Sequence, residues 1–392
     1  MGAILRLGPS VSRTIGSMPL AQPRKGESIG FCIYPSGRVE FTLANPEMVI
    51  WASIRHWCSQ RAAEFYALNT HRIYNKRTRS AVAWNVGLYV QQASEFYDAA
   101  SNAKPNTAPL LYYYSFLNLA KALCEIHSPR LHRRQECYAH GLAWRPDPRN
   151  VVRIDKETVT VRGRGIWHLL WESLMHAPCP AANPTKLSVL QLFSQCPEIG
   201  VEFHTLYGEP KTRVYLEKIE AIYDKAAHEV WLKFSITPER IRGTGMSAPA
   251  LLAQISGART TYVEVVASGE GLRTFQSAAP AKLRGRETPY SALRNDILSL
   301  NPITHLGDGI ELEYSLALQK RWPVRMPQLM ASYTILFWLG SLVRYDPHSV
   351  HDLMDSPDWI LIEGFMTQSR VWLLELFRWA LYQQEIILRT AR

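Results

Sequence analysis

The chain of 392 residues lacks most of the features that would name an enzyme at sight. Its six cysteines (Cys32, Cys58, Cys124, Cys137, Cys179 and Cys196) include no Cys-x-x-Cys pair and form no dense framework. That excludes a disulfide scaffold and suits reduced thiols in a cytoplasmic protein. No apolar run reaches the ~20 residues that cross a bilayer. The longest uncharged run, "LMASYTILFWLGSLV" (329–343), carries Ser332, Thr334, Gly340 and Ser341 and reads as a buried core helix, with no membrane partner. Neither Gly-x-Ser-x-Gly nor His-Glu-x-x-His occurs, so serine hydrolase and zincin chemistry find no support. "RGTGMSAP" (242–249) lacks the Gly-Lys-Ser/Thr of a phosphate loop. The first 28 residues have no continuous apolar segment, which argues against a secretory signal; their Ser/Arg mixture resembles a transit peptide faintly, and they read as a frayed terminus. Repeats and low-complexity tracts are also lacking.

What is present is an ordinary globular composition, 47% hydrophobic and 20% charged, on a chain long enough for a large core. The formal net charge is +10, and it is unevenly spread. Residues 130–164 hold nine basic side chains, among them Arg133, Arg134 and Arg145, against four acidic ones. Such a zone suits a polyanionic partner such as RNA, or is a basic solvated loop surface.

Periodicity predicts a mostly α (α+β) fold: a helical core built from N- and C-terminal helices, with a small β-containing middle insertion. Residues 1–45 read as a tail and a hairpin turning at Pro35-Ser36-Gly37. Three helices are expected within 46–127, the second beginning at Ser80 as N-cap. Residues 150–325 are mixed. Hairpins are expected at 151–161 and 260–275, a strand at 228–236, and short helices at 166–175, 185–196 and 247–255. Residues 326–392 return to helix, ending in one long element over 359–389.

The stretch "LLYYYSFLNLAKAL" (110–123) is apolar around nearly its whole circumference, yet carries Asn118 and Lys121. On a helix, Tyr114, Asn118, Lys121 and Glu125 form one stripe. An unpaired amide buried there costs about 1–3 kcal/mol, and an ammonium more. The stripe is therefore either a satisfied structural network or one wall of a polar cleft. Cys124/His127 and Cys137/His140 have zinc-like spacing, but Cys124 sits in an apolar helix and the run between the pairs is short; no metal or cofactor is expected. In "VRYDPHSVHD" (343–352), Asp346 reads as the cap of a following helix. Gly141 permits a positive φ, which would turn the chain sharply and present His140 beside the helix.

"PLLYYYSFLNLAKAL" followed by "HGL" (140–142) and later "LFWLGSLVRYDP" (336–347) resembles the YaaC-like family of bacterial proteins. The likeness in motif order runs from about Pro46 to the end of the chain. It implies a cytoplasmic, mostly helical protein and no assigned reaction. Residues 46–149 are also similar to HEPN-type helical domains, some of which are metal-independent ribonucleases with an Arg-x(4–6)-His motif. Here Arg134 stands five residues before His140 and Arg133 six, although the polar residue that usually follows the arginine is matched only loosely. In an RNA-cleaving reading His140 is the acid–base group and Arg134, with Arg133, the phosphate-holding cation, while Tyr114, Asn118 and Lys121 of the helical stripe line the substrate site; otherwise His140 is a helix cap or a packed core residue.

Two functions therefore stand. One is an RNA-binding protein or metal-independent endoribonuclease. The other is a non-catalytic helical protein that binds a protein partner, or a second copy of itself, in a bacterial stress or phage-defence assembly.

Overall fold

The computed structural model describes residues 20–34, 38–43, 46–129, 135–146, 151–180, 184–208, 213–255, 260–266, 271–306, 312–318, 326–383 and 385–390. Helices and small sheets combine in an α+β fold.

The first helical stretch divides more finely than its periodicity suggests. Pro46–Trp57 and Gln60–Asn69 are separate helices, because Ser59 is extended (φ −61°, ψ 153°) and restarts the chain. The next helix is Lys76–Ser101, capped by Asn75, whose side chain accepts from the Thr78 amide at 3.0 Å. Ser80 is therefore not its cap; its hydroxyl donates to Glu64 at 2.8 Å. Ala108–His127 follows and is buried over most of its circumference. It packs against Lys76–Ser101, Ile166–Met175, Gln328–Tyr345 and Arg370–Tyr382. A helix surrounded in this way needs apolar residues on every face. The Gln328–Tyr345 helix is likewise buried from Gln328 through Leu342. No helix of the described residues is long and apolar enough to cross a membrane.

These helices share one large core. It also takes in Trp144, Val159, Trp167, Trp171 and Phe193 from the middle of the chain. A second core, around Phe31, Leu232, Phe234, Phe275, Leu251 and Ile297, lies under an antiparallel sheet. Its strands run in the order Glu27–Ser28, Lys218–Asp224, Glu229–Ile236, Arg273–Ser277, Tyr262–Val265, with Ala281–Lys282 also paired to Glu229–Ile236. The strand expected at 228–236 and the hairpin at 260–275 are present here; Thr274 faces Val265 in register.

The other two hairpins differ from expectation. Residues 154–156 form a turn, and only Thr158–Val161 is a strand. It lies between Leu142–Ala143 and Thr185–Ser188, so its partners come from outside the stretch. The Thr185–Ser188 strand also replaces the first turn of the helix expected over 185–196, which is reduced to Val189–Phe193. Near the N-terminus, Glu27–Ser28 joins the large sheet, whereas Arg38–Leu43 pairs in parallel with Glu385–Thr390. The expected turn, 35–37, lies outside the described residues.

That parallel pair also corrects the long C-terminal helix. It is interrupted by a π-helical turn at Phe365–Ser369, where the Thr367 hydroxyl donates to the Glu363 and Gly364 carbonyls. It ends at Tyr382, with Gln383 left-handed (φ +54°). Beyond it, Ile386, Ile387 and Leu388 belong to the strand, an outcome suited to their β-branched and apolar character.

A candidate active site beside His140

The side chains of "YYYSFLNLAK" divide between core and pocket. Tyr112 bonds Arg370 at 2.8 Å, on the face toward the C-terminal helix. The Ser115 hydroxyl donates to the Ala93 carbonyl at 2.7 Å. The Asn118 amide donates to the Tyr114 carbonyl one turn back, at 3.0 Å. Tyr113 and Tyr114 point instead toward the loop that carries His140.

That loop is fixed by two crossing backbone segments. Gly141 has φ +77°, the conformation that lets the chain turn. A Cβ built on Gly165 would lie 2.2 Å from the Gly141 nitrogen, so the segments meet backbone to backbone. Arg162 donates its amide to the Gly141 carbonyl at 2.9 Å, Ile166 to Ala139 at 2.8 Å, and Trp167 to His140 at 3.1 Å. On the far side of the loop, Trp144 is anchored by Nε1 donating to Glu157 at 2.5 Å.

His140 Nδ1 consequently sits 2.6 Å from the Tyr113 hydroxyl. Its ring packs between Tyr113 and Phe337, with centroids 5.6 and 5.8 Å away. Gly340 makes room for Tyr113, since a Cβ there would lie 3.1 Å from the Tyr113 Cβ. The pocket in front encloses about 480 Å³, and Tyr114, Trp144, Arg145, Arg344 and Tyr345 are among its walls. Arg344 Nη1 donates to the Tyr114 hydroxyl at 3.3 Å. No carboxylate is among its described lining residues.

Burial lowers the His140 pKa, and the positive charges of Lys121 and then Arg344 lower it further. The imidazole is thus neutral at neutral pH. Burial, above all, raises the Tyr113 phenol well above its ordinary range, so it keeps its proton. If that proton is donated to Nδ1, His140 carries its own on Nε2; if Tyr113 accepts instead, Nε2 is free as a base. Tyr333 lies close enough to raise the Tyr113 phenol further.

Of the residues expected to form a site, Tyr114 and His140 line the same pocket. Lys121 is half-buried, its Nζ 5.7 Å from the Tyr89 ring centroid and near enough to act on His140 electrostatically. Asn118 is buried and engaged with its own helix. Arg133 and Arg134 lie outside the described residues. The Cys/His pairs are dispersed: Cys124 is buried in the core, and Cys137 faces the Tyr89 hydroxyl at 3.6 Å. No group of three or more His, Cys, Asp or Glu among the described residues is arranged to hold a metal. Sequence reasoning missed Tyr113, Arg145 and Arg344 as pocket residues. Arg344 lies in "LFWLGSLVRYDP", where Asp346 does cap the next helix through the Ser349 amide at 3.2 Å, but its arginine neighbour turns to the pocket.

A family model described as YaaC-like protein matches residues 55–379, most of the chain. The chain belongs to the YaaC-like family. No curated protein and no solved structure matches it, and none of these comparisons supports the HEPN-like similarity. The YaaC-like segment contains Tyr113, Tyr114, His140 and Arg344, and the paired strands Arg38–Leu43 and Glu385–Thr390 fall outside it.

Proposed function

We propose that the His140 pocket of this YaaC-like protein receives a phosphodiester of single-stranded RNA and cleaves it without a metal. The observation that supports this reading is the pairing of a neutral, oriented imidazole with positive charge. Burial, then Lys121 and Arg344, lower the His140 pKa, and Arg145 and Arg344 line the cavity, where no described carboxylate competes for them.

In the proposed reaction His140 Nε2 removes the proton of the ribose 2′-hydroxyl. The 2′-oxygen attacks phosphorus, the bond from phosphorus to the 5′-oxygen breaks, and the leaving oxygen takes a proton from solvent. The products are a 2′,3′-cyclic phosphate and a 5′-hydroxyl. Arg344 balances charge on the phosphoryl oxygens, a role that the Arg-x(5)-His spacing also assigns to Arg134.

The test is incubation of the full chain with single-stranded RNA at low salt in EDTA. Cleavage to cyclic-phosphate ends is expected, abolished by His140→Ala and weakened by Arg344→Gln and by Arg134→Ala. Binding should fall steeply with salt as counterions are released from the phosphates. A protein that neither binds nor cuts RNA under these conditions refutes the reading. The partner-binding alternative would then stand. It draws on a separate groove of about 550 Å³ between the 55–60 junction and the Lys76–Ser101 helix, where Trp84 is 69% exposed.

A further inference from the structure

A second cavity lies between the two hydrophobic cores, away from His140. His127 is the last residue of the central helix, and Arg294 opens the Arg294–Leu300 helix. His176 caps Ile166–Met175 in the left-handed conformation, φ +50°, rare for a residue with a side chain. These three residues converge on a pocket of about 90 Å³, floored by Gln328 and Thr304. The two imidazole centroids are 5.9 Å apart, and the Arg294 guanidinium donates to His176 Nε2. Since that nitrogen accepts, the ring proton of neutral His176 is on Nδ1.

What this arrangement lacks is a counter-charge. No Asp or Glu is among the described lining residues. Among the described residues no carboxylate acts on either histidine: burial, then His176, and less strongly His71 and Arg294, press His127 down to about 4 against the opposing pull of the Ala380 backbone, while burial and then Arg294 press His176 to about 4. Besides these groups, the Tyr66 ring stands edge-on to His127 at 6.2 Å and feels the charge of Arg294. Arg294 thus bonds a neutral imidazole at the mouth of the pocket and has no carboxylate beside it among the described lining residues. A water needs about 10–15 Å³ on this scale, so the cavity has room for several atoms but not for a nucleoside.

We propose that this pocket binds a small tetrahedral or carboxylate oxyanion, held by Arg294 with His127 and His176. Arg294 supplies a fork of donors, and protonation of either imidazole on binding adds a charge-assisted bond. Because its walls come from both cores, the bound anion would tie the sheet-bearing region to the helical one. The inference is independent of the RNA reading.

The test follows the His127 and His176 ring resonances of the full chain by NMR during titration with inorganic phosphate, and separately with acetate. Linkage requires bound anion to raise both histidine pKa values, by about one unit for each tenfold tighter binding to the protonated form. Saturable shifts with either anion, lost in Arg294→Gln and retained in Arg344→Gln, are the expected result. The first variant reports on this pocket and the second on the other one. Resonances and pKa values of the unaltered protein that do not move with either anion overturn the proposal, whether or not Arg294→Gln folds.

Discussion

Replacing Gly165 by alanine isolates the feature that positions His140. The added Cβ would stand 2.2 Å from the Gly141 nitrogen, 2.6 Å from its Cα and 2.7 Å from the Ala139 oxygen, all of them backbone. No side chain can swing aside to relieve it. Restoring ordinary contact at 3.4 Å means moving the 139–141 segment by about 1.2 Å. Overpacking of this kind costs about 1–3 kcal/mol. The same shift breaks one or two of the amide bonds that tie 139–141 to 162–167, at about 0.5–1.5 kcal/mol each. The expected loss is therefore about 1.5–6 kcal/mol, read as a lower urea midpoint at unchanged slope. Gly243→Ala is the control: nothing lies within 4 Å of its added carbon, and stability should stay within about 0.5 kcal/mol. A displaced loop should also separate His140 from Tyr113, which the His140 ring resonances would report. Parental stability together with unmoved resonances would refute the claim that the crossing of the two glycines holds the histidine in place.

Trp144→Phe removes the indole donor to Glu157 and trims a buried ring; a loss of about 2–4 kcal/mol is expected in urea unfolding, and a change below 0.5 would show the anchor to be idle. The pH dependence follows from His127 and His176, whose folded pKa values near 4 lie below the ~6.5 of an unfolded imidazole. As pH falls below about 6.5 the unfolded chain gains protons that the native state refuses, so stability declines and levels off only below about 4. At about pH 5 in anion-poor buffer these two groups should contribute an uptake of close to two protons on unfolding, detected as a slope in stability against pH that is absent from the double His→Gln variant.

Long periodic helices and the strands of local hairpins were legible in the sequence because neighbouring residues decide them. Ile166–Met175 and Glu229–Ile236 show this, as does the hairpin at 260–275. Elements whose partners are distant were not. Thr158–Val161 takes its neighbours from 142–143 and 185–188, and nothing in its own alternation says so. The same division holds at the pocket. The turn at Gly141 follows from one residue's backbone freedom, and its φ is indeed positive. The place of Arg344 against Tyr114 joins residues 230 apart in the chain, and the choice of Tyr113 over its neighbours depends on which helix face the loop meets. Asn118 illustrates a further ambiguity. An amide in an apolar helix advertises a polar environment, but a bond to the preceding turn satisfies it without any cleft.

The parallel pairing of Arg38–Leu43 with Glu385–Thr390 has a consequence for biogenesis. During synthesis the first of these strands leaves the ribosome more than three hundred residues ahead of its partner, at about 5–20 residues per second. For that interval, tens of seconds, its backbone donors and acceptors have only water or a foreign strand to bind. This pairing can therefore form only after residues 385–390 have been made. A chain cut short before residue 385 would present a permanent open edge, however well its helices had already packed.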